Sequence, residues 1–284
     1  MIGVAGSTGL LGKAFMRHLG NEALPFGKCD YDHIIHAAGY GEPARFTAKP
    51  YETIDVNTSF LFHLARYLNP GGSLLFLSSS EVYSGSSNIP YTEHAIGCTS
   101  PEHPRACYIE SKRCGEAIVH AMRAQGINAK VIRLAAVYGP TNKNDNRVLP
   151  FFVKQALTTG VIKLRDQGLA LRTYCYVDDA FKMMTNVLYG GSQAVYNVSA
   201  KKYLTIHELA EIIAKMTGAR VELPLDSMSV KGAPDDVIVS IDRYCREFGD
   251  PIFTSLESGL AMTIDAMRKE INFEDDISYS SSRA

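Results

Sequence analysis

The chain has 284 residues with 29 basic and 30 acidic side chains, a formal net charge of −1 when histidines are neutral. No run of five basic residues and no apolar stretch of spanning length occurs, which argues against nucleic-acid, membrane-surface and membrane-spanning roles. The first residues enter an apolar strand pattern without a signal-peptide pattern, and Cys29, Cys98, Cys107, Cys114, Cys175 and Cys245 form no CxxC pair; both features fit a cytoplasmic protein with reduced thiols.

Apolar runs alternate with helical patterns in the first half. The expected order is strand 2–5, helix 10–19, strand 33–36, helix 58–68, strand 74–77, helix 108–124 and strand 130–134. Strands alternating with helices imply right-handed βαβ units and a parallel, doubly wound α/β sheet. His33 and His36 lie three apart in a strand, where such a pair points to opposite faces, so they read as structural and not as metal ligands. Beyond Gly139 the pattern loosens. A helix over 150–157, short strands near 162 and 194–198, and helices over 206–216 and 256–269 suggest a smaller lobe interleaved with the end of the sheet. The expected division is 1–139 with about 175–198 for the sheet domain, and 140–174 with 199–271 for the lobe. The polar end, 272–284, is expected to be disordered.

Only eleven residues separate Gly20 from Asp32, room for one short strand. A dinucleotide-binding fold ordinarily places strand, helix and strand there, so either the sheet edge is trimmed or a loop is missing from the sequence.

Three stretches carry chemistry. In VAGSTGLLG, Gly6, Gly9 and Gly12 stand at the turn from the first strand to the first helix. Such glycines permit a tight turn, close backbone approach to a pyrophosphate and close helix packing, while the helix start presents its amides. The group that reads the adenosine ribose should end the second strand; Asp30 is the candidate, and Lys28 keeps NADP open. In YIESK, Tyr108 and Lys112 are four apart on one helix face. A tyrosine base near neutral pH needs a neighbouring cation. Finally, the apolar run SLLFL ends in SSSEVY, placing hydroxyls and Glu81 at a strand's carboxyl end.

Together GSTGLLG, HIIHAAG, Asn57, SSSEVY, YIESK and RTYCYVDD resemble the extended short-chain dehydrogenase/reductases that act on nucleotide sugars, over roughly residues 1–271. PRACYIESKR, the stretch Asn146-Arg147-Val148 and LRTYCYV are most similar to UDP-glucuronate decarboxylases and nearby dehydratases. The resemblance implies a Rossmann lobe holding NAD through Gly6, Thr8, Gly9, Leu10, Leu11, Gly12, Asp30, Ala37, Ala38, Tyr108 and Lys112. It implies that Ser79 and Tyr108 engage the sugar hydroxyl being oxidised, that Lys112 holds ribose and phenolate, and that Ser80 and Glu81 serve the following step. Arg172 is implied to grip the diphosphate, with Arg147 and Val148 beside the nucleotide. Decarboxylation, dehydration and epimerisation all stay open, as do an NADPH-dependent 4-keto-sugar reductase and a non-catalytic NAD(P)-binding regulator. A homodimer through the helices near 58–68 and 108–124 is also implied. Three places depart from the family pattern: Ala136 stands where relatives carry asparagine, Arg165 where they tend to carry an aromatic residue, and HAAGYGEP differs from the decarboxylase form.

Overall fold

The structure, a computed structural model, describes residues 1–225, 232–234 and 236–281, with side chains to residue 272. Strand β1 (Ile2–Ala5) runs into helix α1 (Leu10–Leu19), which Gly20 closes at φ +51°. A 3-10 turn leads to β2 (Ala23–Pro25), and β3 (Tyr31–His36) follows at once. Three short helices, α2 (Pro43–Ala48), α3 (Pro50–Asn57) and α4 (Ser59–Ala65), precede the long β4 (Leu68–Ser79). The helix expected over 58–68 therefore ends at Ala65, and helical structure starts much earlier, with Pro43 and Pro50 each in a first turn, where a missing N–H breaks no helical bond.

A 3-10 helix (Ser80–Tyr83) follows β4, and α5 (Ala106–Ala124) precedes β5 (Asn128–Leu134) and β6 (Ala136–Tyr138). The remainder comprises α6 (Val148–Thr159), β7 (Val161–Lys163), β8 (Leu171–Tyr176), α7 (Val177–Gly190) and β9 (Val195–Val198). It ends with β10 (Tyr203–Thr205), α8 (Ile206–Thr217), β11 (Arg220–Glu222), α9 (Asp242–Phe248) and α10 (Leu256–Ser281). Helix α8 starts on a capping box between Thr205 and Glu208 and stops at left-handed Gly218, a strong local start and stop. Of the tail expected to be disordered, residues 272–281 continue the backbone of α10, and 282–284 lie outside the described residues.

Six strands form one all-parallel sheet in the order β2-β1-β3-β4-β5-β9. One face packs on α1 and α7 through residues such as Phe15 and Met184, in a cluster that continues into α6, α8 and α10 of the smaller lobe through Phe152, Leu209 and Leu260; the other packs on α4 and α5 through Leu61, Leu64, Val119 and Met122. A three-stranded sheet, β10-β8-β6, and a parallel pair, β11-β7, build the smaller lobe. Strand β6 belongs to this small sheet although it lies before the expected boundary at residue 139.

The classical order 3-2-1-4-5-6 has a further strand outside the second. Here that strand and its helix are absent, and residues 26–30 alone carry the chain from β2 across β1 to β3. Parallel strands ordinarily need a dozen or more linking residues. The crossing is possible because Gly3 leaves room for the Tyr31 ring: a Cβ on Gly3 would lie 2.9 Å from it. The Gly27 N–H donates to the Tyr31 hydroxyl at 2.9 Å, and Phe26 packs against Tyr31, Phe60 and Tyr67. These aromatics cover the sheet where a crossover helix would lie.

Candidate active site

Tyr108 lies in the first turn of α5, and Lys112 follows one turn later; their side chains are 8% and 4% exposed. The Ser79 hydroxyl, at the end of β4, lies beside the Tyr108 phenol and favours its ionised form. Lys112 Nζ donates to the Leu77 carbonyl at 2.7 Å and lies 5.8 Å from the Tyr108 ring centre. Burial raises the phenol to about 12, opposed by the Ser79 hydroxyl and by the cations Arg105 and Arg147. Burial also lowers Lys112 to about 7, opposed by Glu116 on the next turn. Tyr108 and Lys112, which the YIESK spacing places on one face, thus lie together in a dry environment where small changes in nearby charge act strongly.

Two supports hold this pair. Asn57 Nδ2 donates to Ser111 Oγ at 3.0 Å, and that hydroxyl donates to the Tyr108 carbonyl at 3.1 Å. Behind Lys112, Glu116 accepts from Arg133 Nη2 at 2.7 Å and from Ser78 Oγ at 2.6 Å; Arg133 Nη1 also meets the Tyr83 hydroxyl at 3.0 Å. This buried network ties the end of β4 to α5 and β5.

Glu81 sits one residue into the 3-10 helix after Ser79, its N–H donating to Ser79 Oγ at 3.2 Å. Burial raises its pKa; Arg105, 2.8 Å away, and then Arg172 pull it down. Ser80 and Glu81 line a small recess with Ser84, Tyr91, Pro234 and Val237. Arg172, on β8, donates to the carbonyls of Leu171 and Pro234, both at 2.7 Å, and lies in electrostatic reach of Glu81. Arg147 caps α6, bonded to Asp145 and to the Val137 carbonyl, with exposed Val148 next to it. Ala136 opens β6 exposed, and Arg165 is exposed as well.

Sequence reasoning missed two contributors. Phe46, on α2, is fully buried and stacks on the Tyr108 ring at 4.6 Å and 7°. Arg105 holds Glu81 and lies 5.4 Å over the Phe46 ring. Arg105 stood within PRACYIESKR, three residues before Tyr108, a visible signal; nothing in the sequence marked Phe46. The departing HAAGYGEP stretch has a role too: Glu42, 8% exposed, accepts from Asn146 Nδ2 at 3.1 Å, joining the loops that precede α2 and α6.

The glycine turn fits a dinucleotide. A Cβ on Gly6 (φ +85°) would fall 2.5 Å from the Ala38 nitrogen, and one on Gly12 would fall 2.0 Å from the Gly6 carbonyl. A Cβ on Gly9 would meet only the Gly6 oxygen, at 3.5 Å, so this position faces open space. Helix α1 has no side-chain cap and no acid in its first turn. The first-turn amides at Leu10, Leu11 and Gly12 therefore lack intrahelical acceptors and suit an anion; Thr8 immediately precedes them. Asp30 does not join this cradle. It directly precedes β3, and the register Ile2↔His33 to Ala5↔His36 places it at the amino end of the sheet. The cradle lies at the carboxyl end, and the five-residue link has carried Asp30 away from it.

A family model described as the NAD dependent epimerase/dehydratase family matches residues 21–199. UDP-glucuronic acid decarboxylase 6 of Arabidopsis thaliana is 31% identical over 212 residues, covering 73% of this chain and 60% of that protein. UDP-glucuronic acid decarboxylase 1 of Xenopus tropicalis is 28% identical over 253 residues, covering 88% and 60%; the chain spans about 60% of the length of these relatives. The solved structure of the epimerase Mth375 from Methanothermobacter thermautotrophicus superposes with a TM-score of 0.83 at 19% identity, over 96% of this chain and 93% of that one. With the cradle at Gly6–Gly12, the Tyr108–Lys112 pair on α5 and a match over most of the sheet, this chain belongs to the NAD dependent epimerase/dehydratase family, whose cofactor is NAD.

Proposed function

We propose that the protein oxidises a nucleotide-linked uronic acid at C4 and then decarboxylates it, UDP-glucuronate being the leading substrate. The observation that carries the reading is the Ser79–Tyr108–Lys112 cluster with Glu81 two residues beyond Ser79. The names of the curated relatives support the uronate.

Gly6, Gly9 and the first-turn amides of α1 would hold the pyrophosphate of NAD, and Tyr108 and Lys112 would lie by its other end. Bound NAD supplies the oxidant for the sugar carbon. Ser79 and Tyr108 orient the C4 hydroxyl, and the Tyr108 oxygen accepts its proton as the ketone forms. Lys112, when protonated, would stabilise the phenolate, while Arg105 and Arg147 oppose the burial that otherwise keeps the proton on the phenol. The C4 ketone makes the C6 carboxylate part of a β-keto acid, so the C5–C6 bond breaks, carbon dioxide leaves and the electron pair passes into an enolate at C4–C5. Reprotonation at C5 and return of the C4 hydride to the ketone would complete the turnover. Glu81, paired with Arg105, serves as the proton-handling group beside C5, and Ser80 lines the same recess. Arg172 and Arg147 supply cations for the substrate's anionic groups. Val148 flanks the nucleotide.

Mass spectrometry of products from UDP-glucuronate and from UDP-, dTDP-, GDP- and CDP-hexoses tests this, with isomers separated by chromatography. Loss of carbon dioxide from UDP-glucuronate is expected. Loss of water from a hexose, or a changed isomer without mass loss, would replace decarboxylation by dehydration or epimerisation on the same oxidation. Consumption of added NADPH with a 4-keto-sugar would favour the reductase.

A homodimer through the outer faces of α4 and α5 accompanies this reading. Phe62 on α4 is 53% exposed and Cys114 on α5 is exposed, while the inner faces of both helices pack on the sheet. Light scattering at micromolar concentration should give twice the chain mass; a monomer mass removes the dimer. Among the described residues no helix is long and apolar enough to cross a membrane.

A further inference from the structure

We infer that the adenosine half of the dinucleotide is recognised from α3 and α4, by Glu52, Asp55 and Phe60, in place of the trimmed edge beyond β2. The inference rests on NAD being the cofactor and concerns which residues read it.

An open cavity of about 390 Å³ lies between the carboxyl end of β3 and these helices, lined by Ala38, Gly39, Tyr40, Glu52, Asp55, Val56 and Phe60. That volume falls within the range of small-molecule sites. The cavity shares a wall with the phosphate cradle, since the backbone of Ala37 and Ala38 lies within 2.7 Å of where a Cβ on Gly6 would stand. Its direction is set by two contacts. On one side, the Cβ position of Gly39 is 3.9 Å from Lys112 Nζ, so the redox end of a dinucleotide belongs there. On the other, Phe60 meets Phe26, the residue after β2, with ring centres 6.1 Å apart. The cavity therefore extends from the cradle toward the β2 side, where the adenosine of a dinucleotide on this fold is read.

The lining has the chemistry for adenosine. Phe60, Tyr40 and Val56 offer apolar and aromatic surface to a purine. Glu52 and Asp55 are three apart on α3 and share the face that Val56 continues. Carboxylates accept from ribose hydroxyls and an adenine amino group, and they repel a 2′-phosphate. Arg45 and Lys49 lie against the Tyr40 ring, at 5.4 and 5.9 Å, without lining the cavity. The alternative reader, Asp30, sits at the opposite end of the sheet.

Calorimetric titration of the full chain with NAD, NADP, ADP-ribose and nicotinamide mononucleotide tests the assignment. NAD and ADP-ribose should bind the unaltered protein at least about tenfold more tightly than NADP, the scale of one or two charge-assisted bonds. The pair Glu52→Gln with Asp55→Asn should cut that preference to about threefold or less. Phe60→Ala should weaken NAD and ADP-ribose about tenfold and leave nicotinamide mononucleotide unchanged. Asp30→Asn should alter none of the four. Because Phe60 also packs against His36 and Phe26, the carboxylate pair decides the matter if Phe60→Ala does not fold. Equal affinity for NAD and NADP, or an unchanged preference in the Glu52/Asp55 variant, would overturn the assignment alone. Failure of either dinucleotide to bind the unaltered protein would overturn the proposed function as well.

Discussion

Arg105 Nη2 lies 2.8 Å from Glu81 Oε1, and the two side chains are only 12% and 14% exposed. Burial raises the Glu81 carboxyl above its ordinary range, and the Arg105 guanidinium is the largest opposing influence. Replacing one member of a buried pair leaves the other uncompensated.

Arg105→Met should therefore destabilise the protein by about 3 kcal/mol at pH 8. Glu81 has a folded-state pKa raised above its unfolded value, so its contribution favours the folded state at low pH and is lost as pH rises through the folded pKa. Removing Arg105 raises that pKa further. The destabilisation should accordingly shrink between pH 8 and pH 5 as the buried carboxyl takes up a proton. Urea unfolding of both proteins at the two pH values measures this; an equal loss at both would show that Glu81 is not the group left exposed to burial.

Tyr108→Phe removes the proton acceptor and keeps the ring that stacks on Phe46. Turnover of the substrate that proves active should fall by about 10²–10⁴-fold, while its binding changes by less than about threefold. A comparable loss of binding would make the hydroxyl a positioning contact instead of the base.

Lys112→Met bears on pH dependence. Lys112 is lowered to about 7 in the folded protein without ligand, so between there and its ordinary range the unfolded chain binds the extra proton. Its contribution is present above the unfolded value and is lost as pH falls toward about 7. The unaltered protein should gain stability relative to the variant from pH 7 to pH 10. Parallel stability curves would place Lys112 in water.

Glu116 and Arg133 are 5% and 4% exposed, paired at 2.7 Å. Glu116→Gln and Arg133→Met should each destabilise by about 3 kcal/mol, and the double variant by clearly less than the sum. Additive losses in a denaturant-based double-mutant cycle would mean that the two act separately.

Gly9 and Gly12 should respond differently to alanine. Gly12→Ala brings a Cβ to 2.0 Å from the Gly6 carbonyl, so the turn must rearrange and thermal stability should fall sharply. Gly9→Ala meets an atom only at 3.5 Å; it should fold normally but bind NAD at least about tenfold more weakly, because the methyl group occupies the pyrophosphate approach. Normal NAD affinity in folded Gly9→Ala would move the pyrophosphate elsewhere.

Local signals made the alternating first half readable. The glycine turn, the apolar runs of β1, β3 and β4, and the four-residue spacing of Tyr108 and Lys112 depend on neighbours along one chain, so periodicity and turn chemistry reveal them. The short Gly20–Asp32 interval left a trimmed edge and a missing loop both open, and the fold settles it as a trimmed edge, with residues 26–30 linking β2 to β3.

Tertiary packing decided what length and pattern leave open. Asp30 looked suited to the ribose because it follows β2 in sequence, but the link over Gly3 delivers it to the amino end of β3. Phe46 gains its place against Tyr108 only when α2 folds over α5, and a buried phenylalanine in sequence resembles any other. Arg105 meets Glu81 across 24 positions because the end of β4 and the start of α5 converge at the carboxyl edge of the sheet. The sequence by itself determined the parallel α/β framework and the cradle–tyrosine–lysine set, since each is written in short-range spacing. Which groups face that set, and which charge stabilises Glu81, followed from long-range packing, because burial and distance between remote segments are properties of the folded chain alone.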